Sequence, residues 1–190
     1  FLVLFSNLLS AEYVENLKIK KIVDGDTVHA FGLEGLHKIR LTEIDAPEID
    51  QPGGLESKAY LSALLVDGVI DVEFFGKDVF KRDLGRIYDN NRDINRMMVQ
   101  AGMAWVYDKY VTDKSFYLDQ NEAKNKGLGV WGKKNFNFPE YIKKGADLDT
   151  SVQPRPEKCC RICKKGKACG DGCINKTYNC KKRPGCACNE

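Results

Sequence analysis

The sequence predicts an α+β domain followed by a small Cys-rich module at the C-terminus. Three observations carry this reading. Apolar and polar residues alternate with period two through residues 17 to 45, and helical spacing starts only near residue 55. A meander, a helix, further strands and then further helices is the order of a small barrel with helices added late. All eight cysteines fall between Cys159 and Cys188, which sets the last segment apart as a separate unit. At 190 residues, 43% hydrophobic and 30% charged, the chain is long enough for one soluble domain and an appendage.

The elements follow in order. "LKIKKIV" alternates apolar with basic residues, "DG" turns the chain, and "DTVHAFGL" continues it. "EG" turns again, and "LHKIRLTEID" alternates through Ile39, Leu41 and Ile44. Three strands joined by such short turns form an antiparallel meander. "APEIDQPGG" is a loop, and the spacing predicts a helix over 55–66 with Leu55, Ala59, Ser62, Ala63 and Val66 on one face, stopped by Asp67-Gly68. "VIDVEFFG" and "LGRIYDN" read as strands, "INRMMVQAG" as a short helix, "MAWVYDKY" as extended, and "KSFYLDQNEAKNKG" as a third helix closed by "GVWG". This order is consistent with a five-stranded OB-type barrel, one candidate among several on periodicity alone.

The ends carry different signals. "FLVLFSNLLSAEY" resembles the end of a secretory signal, an apolar run followed by small residues at Ser10 and Ala11. Residues 1–11 are therefore expected to be a signal remnant, too short to span a bilayer as it stands, with an N-terminal strand as the alternative. The domain is placed at 12–142, and "KKGADLDTSVQPRPEK", with two prolines and little apolar content, makes 143–158 a linker. The module, 159–190, holds Cys159, Cys160, Cys163, Cys169, Cys173, Cys180, Cys186 and Cys188. Export to an oxidising compartment favours disulfides over an all-thiolate zinc site, for which Cys160-x2-Cys163 could supply two ligands. From Cys159 onward there are eight Lys/Arg and two acids, against 30 and 27 in the whole chain. The module is thus basic and the body slightly acidic. A basic tail suits an anionic surface or polymer, or simply keeps a core-poor module soluble.

Charged residues gather where strands end. Asp24 and Asp26 flank the first turn, Asp45, Glu48 and Asp50 follow the third strand, Arg40 lies within it, and Arg86 follows Gly85 in the fifth. Alternation puts Arg40 opposite Ile39 and Leu41, so a solvated arginine is the default, and its nearness to Asp45 raises the alternative of a site residue. Carboxylates are hard ligands for Ca²⁺ or Mg²⁺, and guanidinium groups clamp phosphate oxygens, so the set suits phosphoryl chemistry.

"VDGDT", "IRLTEIDAPE" and "LGRIY", in this order and at these separations, resemble the staphylococcal nuclease family, over roughly residues 17 to 132 including "QAGMAWVY" and "GVW". The resemblance implies an OB-fold barrel with about three helices and a monomeric Ca²⁺-dependent phosphodiesterase that cuts DNA and RNA with little sequence preference, leaving 3′-phosphate ends. It makes Asp26 and Asp45 the carboxylate ligands of one Ca²⁺, with the Ala46 backbone carbonyl as third ligand where the family commonly has Thr. Glu48 matches the carboxylate that activates water. Arg40 and Arg86 match the phosphate-binding arginines, and Asp24 stands behind the ligands, orienting water. Where the family often has a basic residue and a tyrosine before its Gly-Arg pair, this chain has Asp83 and Leu84, so Lys81 and Arg82 are expected to contribute to substrate grip. Of Tyr107 and Tyr110, Tyr110 is preferred as the substrate-contacting tyrosine.

His29 and His37 have no evident partner, and Trp105 and Trp131 read as packing residues. The Lys18, Lys20 and Lys21 run is the wet face of the first strand. Two other classes of function stand beside the nuclease: a non-catalytic nucleic-acid-binding barrel, which retention of Asp26, Arg40, Asp45, Glu48 and Arg86 disfavours, and a surface-attachment protein whose biology lies in the tail.

Overall fold

A single long strand, β1 (Glu12–Ile22), organises the domain by serving two neighbours. Its C-terminal half pairs with β2 (Thr27–Gly32), and its N-terminal half pairs with β5 (Val69–Lys77). Register shifts between Ile19 and Lys21 and between Val14 and Leu17 accompany this change of partner. Such irregularities bend a strand and let a sheet curl. β2 pairs with β3 (Gly35–Leu41), and β5 pairs with β6 (Asp83–Asp89). A parallel pairing of β3 with β6, from Ile39 opposite Asp83 to Leu41 opposite Gly85, closes these five strands into a barrel. At that seam a Cβ on Gly85 would stand 2.7 Å from Ile39 Cγ2 and 2.8 Å from Val72 Cγ1, so glycine is what lets the barrel close. The structure, a computed structural model, describes residues 12–134, 136–139, 161–169, 172–175, 177 and 187–189.

The expected α+β class with an OB-fold barrel and three helices is what forms. α1 (Gly54–Leu64) follows the β3 corner, α2 (Ile94–Gln100) follows β6 and the short β7 (Arg92–Asp93), and α3 (Phe116–Asn125) follows β8 (Trp105–Val106). Asp93 caps α2 by accepting the Arg96 N–H at 3.0 Å. Leu17, Val28, Ile39, Leu41, Ile70, Val72 and Ile87 belong to one buried cluster with Leu61, Met98, Val99 and Phe116 of the helices. Trp105 is buried against Phe136 and Phe138, and Trp131 stacks on Phe138 at 4.4 Å, so both tryptophans pack as expected.

Two local expectations are corrected. The third strand does not run unbroken to Asp45. It stops at Leu41, Glu43 takes a left-handed backbone with φ 67°, and Ile44–Asp45 resumes as β4, paired with β8. The face predicted for α1 is the wet one, with Leu55 at 65% and Val66 at 81% exposure, while Gly54, Ser57, Leu61 and Leu64 face inward. Ser57 tolerates burial because its hydroxyl donates to the Met103 carbonyl at 2.7 Å, a partner invisible to a hydropathy pattern.

In the module, β10 (Lys167–Cys169) pairs antiparallel with β11 (Gly172–Ile174), and β9 (Arg161–Cys163) pairs parallel with β12 (Ala187–Asn189). Cys163 and Cys173 form a disulfide with Cα atoms 5.5 Å apart, and Cys169 is disulfide-bonded as well. The zinc pair Cys160-x2-Cys163 is thereby corrected, since the Cys163 sulfur is already bonded. Cys159, Cys160, Cys180 and Cys186 lie outside the described residues, as do the expected signal remnant 1–11 and linker 143–158.

Gly25 is the local constraint that sets the first turn. A Cβ there would stand 1.9 Å from Ser57 Oγ and 2.8 Å from Ala46 Cβ. Gly25→Ala should therefore destabilise the protein by about 1–3 kcal/mol, the usual range for overpacking. A urea unfolding curve that does not move would contradict this packing.

Candidate active site

The first turn is built to deliver a carboxylate inward. Val23 N–H bonds the Thr27 carbonyl at 2.9 Å, and Asp26 N–H bonds Asp24 Oδ1 at 3.0 Å, an Asx-type bend around Gly25. Asp26, only 6% exposed, accepts the Ala46 N–H at 2.8 Å and the Thr27 hydroxyl at 3.0 Å. Across the hairpin, Thr27 is the register partner of Arg40. Arg40 is buried rather than solvated, at 9% exposure. Its Nη1 donates to the carbonyls of Leu41 and Ile44 at 2.7 and 2.8 Å, and its Nη2 reaches Asp45 Oδ1 at 2.7 Å and Asp26 Oδ2 at 3.2 Å. Alternation assigned Arg40 to water because it could not register the corner at Glu43, which brings residues 44 and 45 back to this guanidinium. The nearness of Arg40 to Asp45 that the spacing pointed to is the arrangement found.

Negative charge dominates around this arginine. Burial, reinforced by Asp24 and Asp45, pushes the Asp26 carboxyl up to about 7 against the opposing pull of Arg40 and the Ala46 N–H. Burial, with Asp24 and Asp45 adding to it, also raises Glu48 above the ordinary carboxylate range. One arginine shared between two carboxylates does not offset the burial of Asp26. The donor set of Asp26 and Asp45 is hard oxygen, which suits Ca²⁺ or Mg²⁺. Among the described residues no group of three or more metal-ligating side chains forms, so a third protein donor would have to be main chain. Ala46, the residue expected to provide it, is buried beside both carboxylates.

These groups face a cleft of about 400 Å³. Asp24, Asp26, Arg40, Asp45 and Glu48 line it together with Phe80, Arg82 and Leu84 from the β5–β6 hairpin and Tyr107, Lys109 and Tyr110 from the segment after β8. Tyr107 and Tyr110 meet edge-to-face at 5.1 Å, so both tyrosines lie in the cleft rather than one of them. Phe80 is 76% exposed, with the Arg82 guanidinium 5.6 Å from its ring centre. Asp78 fixes the hairpin tip, accepting the Phe80 and Arg82 N–H groups at 2.9 Å and Arg82 Nε at 2.7 Å. Lys81, at φ 62° in this turn, is exposed and does not line the cleft. Asp83 turns away to Lys77 and to His37, 3.2 Å from its Nδ1. Neither histidine lines the cleft.

Arg86 is not among the cleft groups, which corrects its expected role. It is 5% exposed, with Asp93 Oδ2 at 2.6 Å, Glu43 Oε2 at 3.3 Å and Asp113 Oδ2 at 3.5 Å, and its guanidinium lies 4.9 Å from the Phe116 ring centre. Burial opposes its charge, yet Asp93, with Glu43 adding to it, holds the group firmly protonated. Arg86 lies further along β6 than Leu84, where Asp113 and the Phe116 ring close over it. Arg82, expected only to contribute to substrate grip, is the second arginine that lines the cleft. The sequence signal for it is Asp78-x3-Arg82 at a hairpin tip, an acid that can cap the turn and hold the arginine at its mouth.

Residues 38–133 match the family model for Staphylococcal nuclease homologues. The chain belongs to that family. It is 37% identical over 137 residues to an uncharacterized endonuclease of Haemophilus influenzae, covering 70% of this chain and 76% of the relative. It is 36% identical over 115 residues to an uncharacterized endonuclease of Escherichia coli, covering 60% and 75%. With a micrococcal nuclease of Shigella flexneri the identity is 32% over 133 residues, covering 64% and 76%. The matched span takes in the end of β3, the 42–48 corner, β6 and the tyrosine segment, so the cleft residues from Arg40 to Tyr110 all lie inside it.

Two outcomes follow from the electrostatics. Because Asp26 has its native pKa raised, its contribution to stability is fully present below about 4 and lost as pH rises through about 7. Without divalent cations, Asp26→Asn should therefore raise the melting temperature at pH 8 by about 3–6 °C, the scale of roughly 1 kcal/mol in a domain this size. A calorimetric scan with unchanged or lowered melting would contradict the reading. Arg86→Ala should instead cost about 3–5 kcal/mol of folding free energy, since it strands buried carboxylates, and a denaturation midpoint near wild type would show that Arg86 is not structural.

Proposed function

We propose that this protein is an exported, Ca²⁺-dependent nuclease that hydrolyses phosphodiester bonds of DNA and RNA with little sequence preference. The observation that carries the reading is Arg40 held between Asp26 and Asp45 at the floor of a cleft that also holds Glu48 and Arg82. Family membership supports nucleic acid as the substrate class. A Ca²⁺ ion held by Asp26, Asp45 and the Ala46 carbonyl would offset the carboxylates and polarise the scissile phosphate. Arg40 and Arg82 supply the planar, permanently charged forks that match two phosphate oxygens as negative charge builds on phosphorus. In this role Arg82 replaces the Arg86 of the sequence expectation.

Glu48, with its raised affinity for a proton, is suited to accept one from water as the oxygen attacks phosphorus in line. Asp24, whose Oδ1 is tied to Asp26 N–H, orients that water. Cleavage of the bond to the 5′ oxygen leaves a 3′-phosphate and, once the leaving oxygen is protonated, a 5′-hydroxyl. Phe80, Tyr107 and Tyr110 line the cleft, and base–aromatic stacking there would tolerate any sequence, which suits low specificity. Export is supported by the Cys163–Cys173 disulfide, since disulfides form and persist mainly in oxidising compartments. The basic module would bind an anionic surface or polymer, and DNA retention that is equal with and without residues 159–190 would end that part of the proposal.

The deciding experiment is digestion of single- and double-stranded DNA and RNA with Ca²⁺, with Mg²⁺ and with chelator. Activity is expected with Ca²⁺ and lost with chelator, and full activity in chelator would refute the metal role. Arg40→Ala and Arg82→Ala should each lower kcat by about 10²–10⁴-fold, the scale of removing a pre-positioned charge donor, with folding retained. Near-normal turnover in folded Arg82→Ala would return the second arginine to an unidentified position.

A further inference from the structure

One residue grips both ends of the tyrosine wall. Glu43 N-terminally precedes Ile44 and the cleft carboxylate Asp45, is 3% exposed, and has φ 67°, a region that L-residues with a side chain seldom occupy. This backbone sends its two oxygen-bearing groups to opposite ends of residues 107–113. The Glu43 main-chain carbonyl accepts the Tyr107 N–H at 2.9 Å. The Glu43 carboxylate accepts the Thr112 N–H at 3.0 Å, the Thr112 hydroxyl at 2.7 Å and the Asp113 N–H at 2.9 Å, all on Oε1. Its other oxygen faces Arg86 Nη1 at 3.3 Å. Between these anchors the segment is a tight turn, with the Tyr110 and Val111 N–H groups both bonded to the Tyr107 carbonyl. The turn presents Tyr107, Lys109 and Tyr110 to the cleft.

We propose that Glu43, with Arg86 as its counter-charge, is a positioning residue that sets the tyrosine wall and thereby the grip on the nucleotides flanking the scissile bond. Arg86 is well placed for this because it stands on β6, the strand that also carries Leu84 into the cleft. Glu43, Asp93 and Asp113 all draw on its single guanidinium, so the wall, the β3–β4 corner and the opposite hairpin share one buried charge centre. Charge-assisted bonds from a carboxylate to consecutive backbone amides are short and strongly directional, which is what a wall on an irregular segment needs. The proposal rests on the nuclease reading for its substrate, but the clamp itself can be read without turnover.

The test uses the full chain with Glu43→Gly, which relieves the left-handed backbone and removes the carboxylate, and Glu43→Gln, which keeps the shape and loses the charge. Amide hydrogen exchange at Thr112 and Asp113 should accelerate in both variants by about tenfold or more, as expected when an anchoring bond is lost. For a single-stranded oligonucleotide, KM should rise by about tenfold in Glu43→Gly while kcat changes by less than about threefold, the signature of lost binding rather than lost chemistry. A small diester, bis(4-nitrophenyl) phosphate, which is too short to reach the wall, should be turned over as by wild type. Adding Glu43→Gly to Tyr107→Ala/Tyr110→Ala should raise KM no further. Unchanged amide exchange in Glu43→Gly would overturn the clamp, and an equal loss of kcat on both substrates would show that Glu43 acts on the chemistry instead. If wild type cuts neither substrate, the nuclease reading fails, while the exchange data still decide whether Glu43 holds the segment.

Discussion

The contact on which the rest of the site depends is the buried Arg40 guanidinium, shared between Asp26 and Asp45 and bonded to the Leu41 and Ile44 carbonyls. It ties the first hairpin turn to the corner after the third strand, just beyond the end of the β2–β3 ladder, where the Asp26 carbonyl accepts the Leu41 N–H at 2.7 Å. A lone buried arginine is costly to desolvate, and so is a lone buried aspartate. Here each compensates part of the other's penalty. The balance is deliberately incomplete, because several carboxylates converge on one arginine and Asp26 retains affinity for a proton. That residual negative charge suits the floor to the divalent cation proposed for it, which would place binding chemistry and fold stability in opposition at the same residue.

Geometry around this floor follows from steric necessity as much as from charge. Gly25 leaves room for the turn to rest on Ser57 and Ala46, and Gly85 leaves room for β6 to close against β3. With both approaches close, Asp26 and Arg40 are held by backbone pairing rather than by flexible side-chain reach. The walls of the cleft are different in kind. They stand on a hairpin tip and on an irregular segment, which have fewer ladder bonds to fix them. Their rigidity comes from carboxylates that accept backbone N–H groups: Asp78 under Phe80 and Arg82, and Glu43 under Thr112 and Asp113. In the proposed function the rigid floor would hold the scissile phosphate and the acid-clamped walls its neighbours.

The two arginines of the fifth and third strands show how the same residue type serves opposite ends. Arg40 lies where β3 runs out under a folded-back corner and so reaches the cleft. Arg86 lies deeper along β6 and is enclosed by Glu43, Asp93, Asp113 and the Phe116 ring. Arg82, at the hairpin mouth, remains partly open to solvent and lines the cleft. Sequence motifs fixed on Gly85-Arg86 because a Gly-Arg pair in a strand is a conspicuous local pattern. Depth along a strand is not a local property, and no pattern of residues 82 to 86 reports it.

Much of the molecule was legible in the chain itself. Period-two alternation through residues 17–41 and the Asp24-Gly25 turn determined the meander, which depends on near neighbours in sequence, while the barrel stayed one candidate among several because its closure pairs Ile39 with Asp83 across a long separation. The carboxylates Asp26, Asp45 and Glu48 could be named from their motifs and do meet in one cleft. Tertiary structure alone decided which face of α1 is buried, because Ser57 is satisfied by a carbonyl 46 residues away. It alone decided that Arg40 is buried, that Arg82 rather than Arg86 lines the cleft, and that Glu43 joins β3 to the tyrosine segment. Each of these outcomes turns on burial and on partners distant in sequence, and a buried charge is defined by what surrounds it rather than by what precedes and follows it.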